Sequence, residues 1–242
     1  MICDSFSLQA QQVILYHHLG LGDHFICNGL VNYISQKVAI ILPCKQHNHD
    51  TVECLYSNNK AVTVFPIINE LHDISNLVNE TQLPLFKVGF DYLNTTSSIW
   101  YDAFYEHIGL HPSVRHTMFS LPCEFEEQNS LYLATLCNSK PYIVVHDSSS
   151  VVDRYPIDYY QGRDSSDLPD VVTVKPNQSN NLLAWIKVFQ NAEEIHVVNS
   201  SVYWLLDSMP NLKSKLYYHD IRLGDPIVPN NRWNYINYLR KI

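Results

Sequence analysis

The sequence predicts an α/β protein of two Rossmann-like domains, each with a parallel sheet. Three observations predict it. Short apolar runs rich in Val and Ile recur along the chain, segments of helical spacing fall between them, and the series breaks once, at His111–Glu127, before resuming. Strands that are apolar throughout belong to sheets covered on both faces, which is how parallel sheets are built. The 242 residues suit two domains near the lower size limit, and a 46% hydrophobic content supplies their cores.

In chain order, Val13–Tyr16 reads as a buried strand. Asp23–Ser35 places Phe25, Ile26, Leu30, Val31 and Ile34 at helical spacing. Val38–Leu42 is a second strand, stopped by Pro43; Ala61–Ile67 is a third and Leu85–Phe90 a fourth. Ile99–Ile108 forms an amphipathic helix closed by Gly109. The Pro-containing stretch His111–Glu127 has no long periodic run and is read as the connection, giving domains over 1–115 and 116–242. In the second domain, Leu131–Cys137 is helical, Tyr142–His146 and Val171–Lys175 are strands, and Leu182–Gln190 is a helix. Glu194–Val198 is a strand, Ser201–Met209 a helix, Lys215–Tyr218 a strand, and Arg232–Arg240 a last, aromatic-rich helix.

Composition narrows the function. Lys and Arg total 16 against 24 Asp and Glu, a formal charge of −8, where nucleic-acid binders are normally basic. The six cysteines are scattered without a C-x-x-C pair, the pattern of buried thiols in a reducing compartment rather than of zinc or disulfide frameworks. The first residues lack the basic and apolar regions of a secretory signal, and no apolar run approaches a membrane span. A cytoplasmic protein is expected, with no metal site and no nucleic-acid partner.

Three loops at predicted strand ends can carry chemistry, because open α/β sheets bind ligands beyond the carboxyl ends of their strands. The first is His17–His24. Gly20 and Gly22 allow a tight turn and close backbone approach, and Asp23 sits near a helix N-terminus; a plain turn with Asp23 as a cap explains the same residues. The loop is not a dinucleotide fingerprint, since Phe25 stands where a third glycine belongs and no acidic residue ends the strand at Leu42-Pro43. The second is His146, Asp147, Ser148, Ser149 and Ser150, followed by Arg154-Tyr155-Pro156. Its hydroxyls and N–H groups suit a phosphate, with Arg154 as charge partner, or form an ordinary polar loop. The third is Asn199-Ser200-Ser201 ahead of a helix, an anion site or a plain cap. Lys175 ends a strand on the same edge, and His146 and His219 at strand ends are candidate lining groups.

Taken in order, these loops resemble those of GT-B glycosyltransferases, most of all the ADP-heptose:lipopolysaccharide heptosyltransferase family. That family has a strand, a Leu-Gly-Asp loop and a helix; here Leu21-Gly22-Asp23 follows VILY. Its second half opens with a strand, a small-residue loop and a basic–aromatic–Pro element; here IVVHDSSS precedes Arg154-Tyr155-Pro156. Near its end come a helix, a strand, an Asp-Ser/Thr-Gly turn and a helix. NLLAWIKVFQNAEEIHVVNSSVYWLLDSM has that order, with Asn199 and Ser201 in place of Asp and Gly. The chain is also shorter than a typical member.

The resemblance implies a GT-B-like arrangement in which 1–115 faces the acceptor and 116–242 holds a nucleotide-diphosphate sugar, the two sheets facing a central cleft. It implies inverting sugar transfer to an acceptor hydroxyl of a glycan, with no cofactor and no obligatory metal. Asp23 would be the general base, with His18 or His24 in reserve, and Gly20 and Gly22 would lie against substrate. His146, Ser148, Ser149, Ser150, Arg154, Lys175, Asn199, Ser200 and Ser201 would bind the donor. Two other readings stay open: a nucleotide-sugar- or glycan-binding module without catalysis, and a Rossmann-type oxidoreductase or methyltransferase.

Overall fold

A computed structural model describes residues 11–90, 99–122, 126–135, 141–150, 152–160, 163–164, 169–174, 179–221 and 227–238. The chain divides into two compact units, Met1–Cys123 and Glu124–Ile242.

The first unit contains strands β1 (Gln12–Tyr16), β2 (Ala39–Lys45), β3 (Val62–Ile67) and β4 (Leu85–Lys87), all parallel and in the order β3-β2-β1-β4. Helix α1 (Leu21–Ser35) follows β1. It buries not only Phe25, Ile26, Leu30, Val31 and Ile34 but also His24, Asn28 and Gly29. A helix buried on several sides needs more than one covering element. One is α5 (Val114–Thr117), whose backbone runs so close that a Cβ on Gly29 would sit 2.4 Å from the Val114 carbonyl oxygen. The Asn28 side chain accepts from the Ser120 amide at 2.9 Å, and Asn32 donates to the Met118 carbonyl at 3.1 Å. The segment just beyond residue 115 is therefore fastened to the first unit.

Two helices here lack a strong apolar signal in the sequence. Helix α2 (His49–Tyr56) follows a 3-10 turn at Gln46–Asn48, and α3 (Glu70–Thr81) buries only Ile74 and Leu77. Local hydrogen bonds start α3. Asn69 Oδ1 accepts from the His72 amide, and the Asp73 carboxylate accepts from the amides of Ile68 and Asn69 at 2.8 Å each. Within Ile99–Ile108, α4 spans Ala103–His107, with Phe104 and Tyr105 fully buried.

The second unit begins with α6 (Glu126–Thr135), which starts earlier than its apolar pattern suggests; of the expected Leu131–Cys137 helix, residues 136 and 137 lie outside the described residues. Its sheet has five parallel strands: β5 (Tyr142–His146), β6 (Asp170–Thr173), β7 (Glu194–Val197), β8 (Lys215–Asp220) and β9 (Trp233–Asn237), ordered β6-β5-β7-β8-β9. The expected helix Leu182–Gln190 is a 3-10 turn, Leu182–Trp185, running into α7 (Ile186–Asn191). Helix α8 (Ser201–Ser208) lays Tyr203 against Tyr218 and Trp233, with ring centroids 5.0 and 4.8 Å apart.

One element differs in kind. The sequence pattern predicts a helix over Arg232–Arg240, but Trp233–Asn237 is an edge strand, paired in parallel with β8 from Leu216↔Trp233 to Asp220↔Asn237. Aromatic residues fit a pleated surface at least as well as a helix. Tyr235 stacks on Tyr218, and the Trp233 indole N–H donates to Asp207 at 2.9 Å. The pairing with β8 and these contacts, one across the strands and one to α8, decide the conformation.

Candidate active site

In the first sheet the chain moves from β1 to β2 and β3 on one side, then crosses to β4 on the other. Such a reversal, beyond the carboxyl ends of β1 and β4, marks the usual ligand position in parallel sheets. The loop His17–Gly20 leaves β1 at that point. Gly20 caps α1 without a side chain, and the Asp23 carboxylate folds back over it: a Cβ on Gly20 would stand 2.4 Å from Asp23 Oδ2. Asp23 is half-buried and lies in the first helical turn, where the helix dipole favours negative charge.

The three histidines around it separate into two kinds. His18 is half-buried, edge-on to Phe90 and Phe104 at 4.9 and 5.4 Å, and burial lowers its pKa while Glu70 opposes the shift. His17 and His24 have no exposed surface and meet edge-to-face at 4.6 Å. Desolvation pushes His17 down to about 4 and His24 well below its ordinary value, so both are neutral. Of His18 and His24, the two reserve bases, only His18 has exposed surface. His47 lies in the 3-10 turn before α2 and His49 is its first residue, 3.7 Å from Asp50 and 3.8 Å from Glu53.

In the second sheet the reversal falls between β5 and β7. The loops leaving these strands are tied together by the Val198 amide, which donates to the His146 carbonyl at 3.2 Å. Ser149 donates its amide to the Val152 carbonyl at 2.9 Å, and its hydroxyl meets the Tyr155 hydroxyl at 3.2 Å. Ser148 and Ser149 are half-buried and Ser150 is exposed. Arg154 Nε donates to the Asp147 carboxylate at 3.2 Å, but its side chain is 77% exposed. On the β7 side Asn199 is buried, Ser200 and Ser201 are half-buried, and Ser200 caps α8 without a side-chain bond to the helix. The first amides of α8 therefore carry no side-chain cap from Ser200. His146 is almost fully buried, with its Nδ1 lacking a hydrogen-bond partner among the described residues. Desolvation pushes its pKa down to about 4, with Asp147 opposing. Lys175 lies outside the described residues.

The sequence matches no protein-family model and no curated protein significantly. Solved structures do match. A glycosyl transferase family 9 protein from Veillonella parvula DSM 2008 aligns with a TM-score of 0.58 at 10% identity, over 96% of this chain and 88% of its own. ADP-heptose lps heptosyltransferase II of E. coli aligns at 0.52 and 10% identity, over 94% and 90%. The iron-containing dodecameric glycosyltransferase TibC of enterotoxigenic E. coli H10407 aligns at 0.54 and 12% identity, over 88% of this chain but only 58% of TibC. The fold is that of the GT-B-like glycosyltransferases.

Within this GT-B-like fold, the structure brings His146, Ser148, Ser149 and Ser150 together with Asn199, Ser200 and Ser201 at one switch point. It places Gly20, Gly22, Asp23 and His18 at the other unit's switch point. His219 differs from its expected role: it has no exposed surface and bonds to His196 instead of opening to a ligand. Sequence reasoning missed the group to which it belongs, Glu194, His196, His219 and Tyr238. The available signal was a period-two polar stripe, Glu194-x-His196 and Tyr217-x-His219, in strands otherwise apolar enough to be buried. Among the described residues no three His, Cys, Asp or Glu side chains gather as metal ligands, and no helix is long and apolar enough to cross a membrane.

Proposed function

We propose that this chain is a glycosyltransferase moving a sugar from a nucleotide-diphosphate donor to an acceptor hydroxyl. The observation that carries the reading is the second unit's switch point. There the start of α8, the serine loop after β5 and Arg154 offer N–H groups, hydroxyls and a positive charge to a diphosphate. The fold shared with glycosyltransferases supplies the context.

The acceptor hydroxyl loses its proton to an Asp23 carboxylate oxygen as its own oxygen bonds to the anomeric carbon. The bond from that carbon to the diphosphate oxygen breaks, and the new charge on the leaving group is met by the α8 amides, Ser149, Ser200, Ser201 and Arg154. Direct attack inverts the anomeric centre. These groups neutralise the leaving diphosphate without calling on a metal ion. Gly20, with no side chain, leaves the space that the Asp23 carboxylate takes up, and Gly22 lets the acceptor approach the backbone beside it.

The test is a thermal-shift panel of UDP, GDP, ADP and TDP and their sugars. One nucleoside diphosphate is expected to raise the melting temperature by mass action, and its sugar to be consumed. If none of them shifts the melting temperature and no donor is consumed, the proposal fails. A second reading, donor binding without transfer, is favoured by Asn199 and Ser201, which stand where the resembled family has Asp and Gly. Release of nucleoside diphosphate from a donor sugar decides against it.

A further inference from the structure

The covered face of the second sheet carries a hydrogen-bonded ladder. Arg163 grips Glu194 with two nitrogens, 2.9 Å to Oε2 and 3.3 Å to Oε1. Glu194 Oε2 lies 3.4 Å from His196 Nε2, His196 Nδ1 lies 2.9 Å from His219 Nε2, and His219 Nδ1 lies 2.8 Å from the Tyr238 hydroxyl. That hydroxyl accepts from the Asp158 amide at 2.7 Å. His196 and His219 are both fully buried.

The chemistry of the two ends assigns every proton between them. An ionised carboxylate only accepts, so His196 Nε2 carries a hydrogen and its Nδ1 accepts. His219 must then donate from Nε2 and accept at Nδ1, which the Tyr238 O–H supplies. One direction therefore runs through the ladder, from Tyr238 to Glu194, with both imidazoles neutral. Burial supports neutrality, pushing His196 down to about 4 and His219 to about 3.

Both ends of the ladder hold the same piece of chain. Asp158 lies near the far end of the segment that leaves the serine loop, and Arg163 donates to the carbonyls of Tyr159 and Tyr160 at that same end. The Tyr159 ring lies edge-on to His196 at 6.4 Å, while Tyr217 stacks on His196 at 4.4 Å. Upstream, Tyr155 and Ile157 pack on Val145 and Val198, and Tyr155 donates its amide to the Asp147 backbone carbonyl at 2.6 Å. The strap Val152–Tyr160 thus connects the anion-binding loop to a buried polar anchor.

We propose that His196 and His219 are positioning residues: their ladder holds the strap that sets Arg154 and Ser149 at the phosphate-binding loop. The ligand part of this inference rests on the donor-site reading above; the mechanical part does not. Tyr238→Phe removes one oxygen and breaks both the link to His219 and the acceptor for Asp158.

The experiment compares wild type and Tyr238→Phe at neutral pH by amide hydrogen exchange and by calorimetric titration with inorganic pyrophosphate. The expected result is exchange at least tenfold faster at Tyr155 and Asp158, unchanged protection in β5 and β7, and pyrophosphate bound about fivefold more weakly. Unchanged strap exchange overturns the inference, as does faster exchange with unchanged pyrophosphate affinity. A wild-type protein that does not bind pyrophosphate overturns the donor-site reading and the ligand part together. That failure is distinguishable because it needs no substitution. If Tyr238→Phe folds poorly, the imidazole nitrogen spectrum of the wild type decides: both Nε2 atoms protonated and both Nδ1 atoms bare support the ladder, and any other tautomer pair overturns it.

Discussion

The Asp23 carboxylate occupies the space that a side chain at Gly20 would need. An alanine Cβ at position 20 would meet Asp23 Oδ2 at 2.4 Å. Gly20 has φ −65 and ψ 144, ordinary values for any residue, so the backbone does not require glycine; the placement of the carboxylate does. Because the opposing atom is the end of a flexible side chain, Gly20→Ala is expected to leave the melting temperature nearly unchanged while displacing Asp23. Sugar transfer should fall by at least about tenfold in Gly20→Ala and by about 10²-fold or more in Asp23→Asn, the usual scale for a general base. Donor affinity should hold in both. Full turnover in Asp23→Asn would remove Asp23 from the chemistry.

Arg154 separates binding from stability. Its pairing with Asp147 is solvent-exposed on the arginine side, and exposed pairs contribute only about 0–1 kcal/mol. Arg154→Ala should therefore melt within a few degrees of the wild type. A charge-assisted hydrogen bond to a phosphate oxygen is worth roughly 1.5–3 kcal/mol, so nucleoside diphosphate affinity should drop about tenfold or more. Titration calorimetry checks this, and unchanged affinity would take Arg154 out of the donor site.

Gly29 tests packing rather than chemistry. Its would-be Cβ faces backbone, the Val114 and Arg115 carbonyl oxygens at 2.4 and 3.0 Å, which cannot rotate away. Gly29→Ala gains helix propensity of about 1 kcal/mol but must push α5 off α1, an overpacking cost of roughly 1–3 kcal/mol. A lower melting temperature and faster exchange at Val114–Thr117 are expected. A variant more stable than wild type would show that α5 yields freely.

Much of this architecture is legible in the residues alone, because the strands of a doubly covered sheet are largely apolar and VILY, VAIIL, YIVVH and even EIHVV, with its two polar residues, stand out. The loops at their ends follow from the topology. Helix α3 escapes a sequence reading because its start depends on local capping and only a narrow stripe is buried, Ile74 and Leu77 out of twelve residues, while α2 is only eight residues long and follows a 3-10 turn. The last strand was misread because Trp233 and Tyr235 serve either structure, and only pairing with β8 decides. At the candidate site, loop position was readable but burial was not. Nothing in H-H-L-G-L-G-D-H tells that His17 and His24 are sealed while His18 is not; that depends on which side of α1 other elements cover.

Burial of so many neutral histidines makes stability depend on pH. His17, His146, His196 and His219 are pushed down to about 4, 4, 4 and 3, and burial also holds His24 well below the ordinary value near 6.5. The groups facing His196 and His219 are Glu194, Arg163, Asp158, Tyr159, Tyr217 and Tyr238. Of these, Glu194 and Asp158 favour protonation, yet desolvation outweighs them. Between about pH 6.5 and pH 4 the unfolded chain binds protons that the folded chain refuses, so stability rises with pH and is lost as the solution is acidified. The melting temperature should be flat from about pH 8 to 7 and fall steeply below about 6.5, with proton uptake accompanying unfolding at about pH 5. Replacing His24 by Phe, which has no group to protonate, should flatten that slope by about one proton; an unaltered slope would mean that His24 is protonated in the fold.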